Sequence, residues 1–232
     1  MFLPKWDDLP QEMQNEAVAG YYELLKKKRL SLLVKRVFDF TVALIMLILI
    51  SPILLILAVL IKIDSEGPVF YRQERVTTAN KTFRIFKFRT MVQNADKIGS
   101  LVTIGQDSRI TKIGSKIRKC RLDELPQLFN IISGDMSFVG TRPEVRKYTD
   151  SYTDEMMATL LMPAGVTSLA SITFKDEDKI MEEKTSLGKS ADDAYINYVL
   201  PEKMKYNLEY LKTFSFWGDI GLMFKTVISV LK

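Results

Sequence analysis

The chain has 232 residues, 47% of them hydrophobic and 26% charged, with a formal net charge of +5. That balance excludes a disordered polar chain and points to anionic partners: phosphates, nucleic acid or a membrane surface. With no histidine and one cysteine, Cys120, internal disulfides, His-based triads or dyads and His-ligated metals are excluded. A bound metal would rest on carboxylate oxygens, which favours Mg²⁺ or Mn²⁺ over Zn²⁺.

Residues 11–30 are expected to be helical, with Val18, Tyr21, Tyr22 and Leu25 on one face and a Lys-Lys-Lys-Arg run at the end. Beside an apolar segment, that run suits anionic lipid. Residues 40–61 read FTVALIMLILISPILLILAVLI and carry no charge. As a helix they span roughly 33 Å, about the thickness of a bilayer's hydrocarbon. Pro52 removes the backbone bond to the Ile48 carbonyl, so a kink or break is expected at Ser51-Pro52, with Ser51 available to bond the freed carbonyl. Both flanks are basic, with Lys35 and Arg36 before and Lys62 after. Positive flanks favour the cytoplasm, which suggests a re-entrant helix-break-helix entering and leaving on one face.

Residues 64–68 form a turn, followed by two β-like stretches, 69–73 and 82–89, joined by the polar residues 77–81. Helical segments are expected over residues 111–120 and 125–132, the second opened by Leu122-Asp123-Glu124. Residues 134–137 and 140–143 carry loop signals. Residues 176–193 are highly charged and read as a solvated helix or loop. At the C-terminus Ile220, Met223, Phe224, Val227, Ile228 and Leu231 recur at helical spacing. That helix packs on the core, or lies in a membrane interface with Phe214, Phe216 and Trp217 at headgroup depth.

Residues 107–143 concentrate Arg109, Lys112, Lys116, Arg118, Lys119, Arg121 and Arg142 around the acidic pair Asp123-Glu124, and Lys87 and Arg89 lie upstream. Taken alone, Asp123 is a helix N-cap and Glu124 a first-turn acid. The cationic surroundings suit phosphoryl transfer instead, where charge spreads over oxygens and cations offset it. An ionised carboxylate is a usable nucleophile at phosphorus, and its neighbour can hold Mg²⁺. A helix start at Leu125 would add amide donors for phosphate.

Several motifs in order carry a resemblance to a known family: Lys35-Arg36-Val37-Phe38-Asp39, Ser51-Pro52, Gly67-Pro68-Val69-Phe70 with Gln73 and Arg75, and Phe86-Lys87-Phe88-Arg89-Thr90-Met91. Further along come Arg109-Ile110-Thr111 through Arg118, Leu122-Asp123-Glu124-Leu125-Pro126-Gln127-Leu128-Phe129-Asn130 and Gly134-Asp135-Met136-Ser137-Phe138-Val139-Gly140. The chain resembles the bacterial sugar transferases, the monotopic polyprenyl-phosphate phosphoglycosyl transferases, from about Lys35 onward. It departs from their pattern where Gly-Pro-Arg-Pro appears as Gly140-Thr141-Arg142-Pro143, and where Val76-Thr77 replaces the glycine that often follows the hairpin arginine.

The resemblance implies that Asp123 attacks the β-phosphate of a UDP-sugar, releasing UMP, and that polyprenyl phosphate then takes the phosphosugar. It makes Glu124, with Asp123, the Mg²⁺ site and Lys87, Arg89, Arg109, Arg118 and Arg142 phosphate-binding. The expected fold is α+β. An N-terminal amphipathic basic helix (residues 1–34) precedes a re-entrant membrane helix broken at Ser51-Pro52 (35–63). A mostly helical domain with a small β-hairpin follows (64–232), on the cytoplasmic face of the bacterial inner membrane. The expected partners are UDP-sugar, polyprenyl (undecaprenyl) phosphate and membrane lipid, with no nucleic acid and a homodimer left open. One rival keeps the reaction but makes Asp123 only a metal ligand, with direct attack by the lipid phosphate. Another is a membrane-anchored basic module for anionic lipid or nucleic acid, which leaves the acidic pair inside the basic shell unexplained.

Overall fold

A computed structural model describes residues 3–95 and 107–231. Helix α1, Glu16–Lys27, begins where the Asn15 side chain accepts the Val18 amide at 2.9 Å. It buries Val18, Tyr21, Tyr22 and Leu25, the face its spacing predicts. The helix is shorter than expected, because residues 11–13 form a separate 3₁₀ turn after Pro10. The boundary with the next helix falls at Lys28 rather than residue 34. There the Lys28 ammonium donates to the Lys212 and Phe214 carbonyls at 3.1 and 2.6 Å, satisfying the end of another helix.

Helix α2, Arg29–Asp64, has 36 residues and is the one described helix long and apolar enough to cross a membrane. Helical structure continues through Pro52, so the expected interruption is absent there. The physical reason is local. Pro52 leaves the Ile48 carbonyl without its amide, and the Ser51 hydroxyl donates to that carbonyl at 2.8 Å. A stripe at steps of three and four, Leu32, Lys35, Asp39, Ala43, Met46, Ile50, Leu54, Leu57 and Ile61, packs on the rest of the molecule. The opposite faces are apolar and open, with Leu49 71% and Leu55 69% exposed.

Both ends of α2 are tied to the same body. Near its start, Arg36 donates to the Ile131 and Ile132 carbonyls. At its end, the Asp64 carboxylate accepts the Ile113 amide at 2.9 Å, and Arg89 donates to the Ser65 carbonyl at 2.6 Å.

The two expected β stretches form one antiparallel hairpin: β1 (Phe70–Tyr71) pairs with β4 (Lys87–Phe88), and β2 (Glu74–Val76) with β3 (Thr82–Arg84). The Ile85 amide donates to the Gln73 carbonyl at 3.0 Å and carries the same register across the gap. A second sheet was not expected, and its first strand begins inside residues 134–137, which carry loop signals. β5 (Met136–Val139) runs parallel to β6 (Ala164–Thr167), and all four β5 residues are buried. Close approach explains Gly165 here, since a Cβ on it would lie 2.2 Å from the Gly140 amide nitrogen.

The C-terminal helices are Leu200–Thr213 and Phe216–Leu231. The last one is half packed and half open. Leu222 and Met223 pack on the core, while Trp217 and Phe224 stay 78% and 67% exposed. Phe214 is buried, so it is not an interface residue, and the Leu231 side chain lies outside the described atoms. The helix Glu177–Ser186 buries only Met181, as its charge suggests. The molecule is thus mostly helical with small two-stranded sheets, an α+β fold.

Candidate active site

The acidic pair is placed by a sharp turn. Thr111 caps the helix Lys112–Lys119 by accepting the Gly114 amide at 3.0 Å. A Cβ on Gly114 would lie 2.1 Å from the Thr90 carbonyl oxygen, so this helix rides directly on the backbone after β4. Arg121 then adopts a left-handed conformation at φ 56° and reverses the chain into a 3₁₀ helix, Leu122–Gln127. Asp123 and Glu124 sit in its first turn. The α-helix begins only at Leu128, because Pro126 lies inside the tighter turn. Asp123 is therefore not an α-helix N-cap, and the expected helix start at Leu125 does not supply phosphate-binding amides. Asn130 joins this element to the hairpin, accepting the Phe86 amide at 2.8 Å and donating to the Arg84 carbonyl at 3.2 Å.

These elements enclose a cleft of about 600 Å³. Asp123, Lys87, Arg89, Arg109 and Arg118, all singled out from the sequence, line it together. Arg72, Arg75 and Arg84 of the hairpin also line it, so among the described residues Asp123 is the one carboxylate beside seven cationic side chains. Sequence reasoning put Arg75 in a motif but passed over Arg72 and Arg84. The signal was their cross-strand placement around Phe86, which only the hairpin register reveals.

Glu124 stands behind Asp123. Its Oε1 accepts from Lys87 at 3.0 Å and from Arg142 at 2.8 Å, and among the described residues no hydrogen bond reaches Oε2. Arg142 thus enters the site through Glu124 rather than as a lining residue. Burial alone would raise the Glu124 carboxyl, but the charges and hydrogen bonds of Arg142 and Lys87 outweigh it and hold it at about 2. Asp123 moves the other way: burial, then the charge of Glu124, raises its carboxyl above the usual value. Burial lowers the Lys87 ammonium, partly offset by Glu124.

The depressed Glu124 value has a consequence for stability. Its contribution, on the order of 3 kcal/mol, is fully present above the unfolded value of 4.5 and is lost as pH falls toward about 2. Denaturation in detergent should therefore show Glu124→Gln less stable than the parent at pH 7, with the gap narrowing as pH drops from 5 toward 2. A gap independent of pH would exclude this ion-pair origin.

The other cations differ in what they hold. Arg109 grips Asp107 through two nitrogens, at 2.9 and 2.6 Å, and those bonds push the Asp107 carboxyl down to about 2. Arg89 is buried, and one of its nitrogens bonds the Ser65 carbonyl and hydroxyl. Its role here is to fix the end of α2 against the cleft wall. Arg118 makes no side-chain hydrogen bond among the described residues and acts on Asp123 through its charge.

The sequence profile of the bacterial sugar transferases matches residues 30–232. The chain is similar to the UDP-N-acetylgalactosamine-undecaprenyl-phosphate N-acetylgalactosaminephosphotransferase of Aeromonas hydrophila, 38% identical over 85% of this chain and 44% of that protein. It is similar to the UDP-glucose:undecaprenyl-phosphate glucose-1-phosphate transferase of Klebsiella pneumoniae, 34% identical over 85% of this chain and 40% of that protein. Exopolysaccharide production protein ExoY of Sinorhizobium fredii is 30% identical over 84% of both chains. The chain thus spans less than half the length of the first two relatives and most of the third. With a family profile covering residues 30–232, the chain belongs to the bacterial sugar transferases.

Proposed function

We propose that this protein transfers a sugar-1-phosphate from a UDP-sugar to undecaprenyl phosphate, releasing UMP, as the initiating step of a bacterial glycoconjugate. The observation that carries this reading is Asp123, the one carboxylate among the described lining residues, in a cleft where seven of those residues are cationic. Such a wall can offset the charge of a diphosphate and of an incoming acceptor phosphate, with Asp123 as the acid that attacks.

In the first step an Asp123 carboxylate oxygen bonds the β-phosphorus of the UDP-sugar. The bond from that phosphorus to the bridging oxygen breaks, and UMP leaves with the electron pair. In the second step an oxygen of undecaprenyl phosphate attacks the same phosphorus and Asp123 leaves as carboxylate. The product is a lipid diphosphate sugar. Burial and the charge of Glu124 raise the free energy of the ionised nucleophile, and Lys87 and Arg118 oppose them.

Mg²⁺ fits this donor set in a limited way. Asp123 lines the cleft and Glu124 has Oε2 free of hydrogen bonds among the described residues. Mg²⁺ is commonly held by one or two carboxylates, with phosphates and waters completing its shell. Asp123 and Glu124 would hold it, and when bound it would offset the charge of the diphosphate. The direct test is UMP release from a panel of UDP-sugars with undecaprenyl phosphate, with and without Mg²⁺. Release that depends on both metal and lipid supports the reading, and its absence across the panel refutes it.

The membrane reading follows from α2. A helix crossing the bilayer delivers its ends to opposite sides, whereas both ends of α2 bind one body. Its open apolar faces and the exposed Trp217 and Phe224 suit burial in lipid, with the body on the cytoplasmic face. Single cysteines near Lys28 and Lys62, in a Cys120-free background, should label from the same side of the membrane with an impermeant thiol reagent. Labelling from opposite sides would show a spanning helix.

Cys120 is exposed and lies three positions before Asp123, which makes it the rival nucleophile by residue type. Cys120→Ser should keep transfer within about twofold, since Cys120 is absent from the cleft wall.

A further inference from the structure

The cations of the cleft fall into two groups. Near Asp123 most are engaged: Lys87 pairs with Glu124, Arg109 with Asp107, and Arg89 holds Ser65. At the hairpin, Arg75 is held by the Gln73 side chain and the Pro143 carbonyl, while Arg72 and Arg84 have no acid among the described residues. Arg72 donates to the Arg84 carbonyl at 3.1 Å, and Arg84 donates back to the Arg72 carbonyl at 3.4 Å. Glu74 faces Arg84 in the ladder, yet no ion pair joins them among the described residues. Two guanidiniums side by side, spending hydrogen bonds only on backbone, keep their charge for an outside anion.

A second observation specifies what carries that anion. The Arg72 guanidinium lies 3.4 Å over the ring of Phe86. Phe86 meets Phe70 at 5.8 Å and Phe129 at 5.4 Å, and Phe129 is 37% exposed. Phe70 stacks on Phe88 at 5.5 Å, and Phe88 packs with Leu57 and Ile61 of α2. An aromatic path therefore runs from the apolar helix to an uncompensated guanidinium at the mouth of the cleft.

We propose that Arg72 and Arg84 bind the phosphate monoester of the lipid acceptor, with its isoprenoid tail laid over Phe86, Phe70 and Phe129 toward α2. The assignment rests on the transferase reading and gives the acceptor phosphate a subsite apart from the diphosphate site at Asp123. A nucleotide sugar has no long apolar tail to use this path. A bulk anionic headgroup shares the phosphate chemistry and is the competing source.

The test uses the full chain in nanodiscs and compares the parent with Arg72→Gln/Arg84→Gln and with Phe129→Ser. Exchange of labelled UMP into UDP-sugar, without acceptor, reads the nucleotide half alone. The double variant should raise the KM for undecaprenyl phosphate about tenfold or more, the effect of losing charge-assisted hydrogen bonds. Its UDP-sugar KM in the exchange should rise far less. Phe129→Ser, at an exposed position, should raise the acceptor KM as well. Native mass spectrometry should show the parent retaining undecaprenyl phosphate over undecaprenol, and the double variant losing that preference. Equal damage to exchange and lipid transfer would make this a nucleotide subsite and overturn the proposal. So would an unchanged acceptor KM with weaker binding to phosphatidylglycerol vesicles, which would mark a general headgroup contact. If the parent shows no exchange, the covalent step fails, while the lipid-binding comparison still decides the subsite.

Discussion

Replacing Asp123 by Asn is expected to reduce transfer of phosphosugar to undecaprenyl phosphate by roughly 10³-fold or more, the scale of losing a nucleophile that acts in both steps. The substitution keeps size and removes charge. It also removes the one carboxylate among the described residues of the cleft wall. The fold should survive, because the raised Asp123 carboxyl shows that its ionised form costs folding energy rather than supplying it. Binding of UDP-sugar should persist or tighten, since the cations then face the diphosphate without an internal competitor. The same raised carboxyl predicts that transfer by the parent falls away on the acid side at a higher pH than an unperturbed aspartate would set. Turnover by Asp123→Asn within tenfold of the parent would remove the nucleophile assignment and favour direct attack by the lipid phosphate.

A second large effect is expected at Lys35, far from the chemistry. Lys35 is 2% exposed and lies 2.5 Å from Asp219 and 3.6 Å from Asp39. The Ser137 hydroxyl donates to Asp39 at 2.6 Å, and the Tyr210 hydroxyl donates to Asp219 at 3.0 Å. One ammonium thus joins α2, β5 and the last two helices. Lys35→Met leaves two carboxylates buried without compensation, at a cost of about 3–5 kcal/mol. In a chain of this size that lowers the unfolding midpoint by on the order of 10 °C. Thermal unfolding in detergent would measure it, and limited proteolysis between the last two helices would show whether the C-terminal helix loosens first. Adding Asp39→Asn and Asp219→Asn should restore part of the loss, because stranded charge, not lost packing, is its cause. A midpoint unchanged by Lys35→Met would contradict this account of how the two apolar helices are held together.

What the sequence revealed and what it hid follow from the range of the interactions. The buried face of α1 was legible because Val18, Tyr21, Tyr22 and Leu25 repeat within one helix. The hairpin was legible because its strands are joined by a short polar turn. Ser51 bonding the freed Ile48 carbonyl is a contact within a single turn. The parallel pairing of β5 with β6 was hidden, since residues 136 and 164 meet only through the tertiary fold and Gly-Asp-Met-Ser reads locally as a loop. Leu125 looked like a helix start because apolar spacing cannot separate a 3₁₀ turn containing Pro126 from an α-helix. At the site, the motifs brought Asp123, Lys87, Arg89, Arg109 and Arg118 to one cleft. They could not show that Arg109 is occupied by Asp107, that Arg89 braces α2, or that Arg72 and Arg84 have no acid among the described residues.

The most direct measurement is to incubate the protein with a UDP-sugar that it turns over, omit undecaprenyl phosphate, and determine the mass of the peptide containing Asp123. The account predicts one phosphosugar adduct on that peptide, lost when the lipid is added and absent from Asp123→Asn. Lipid transfer at the full rate with Asp123 never modified, or an adduct on Cys120 instead, would contradict it.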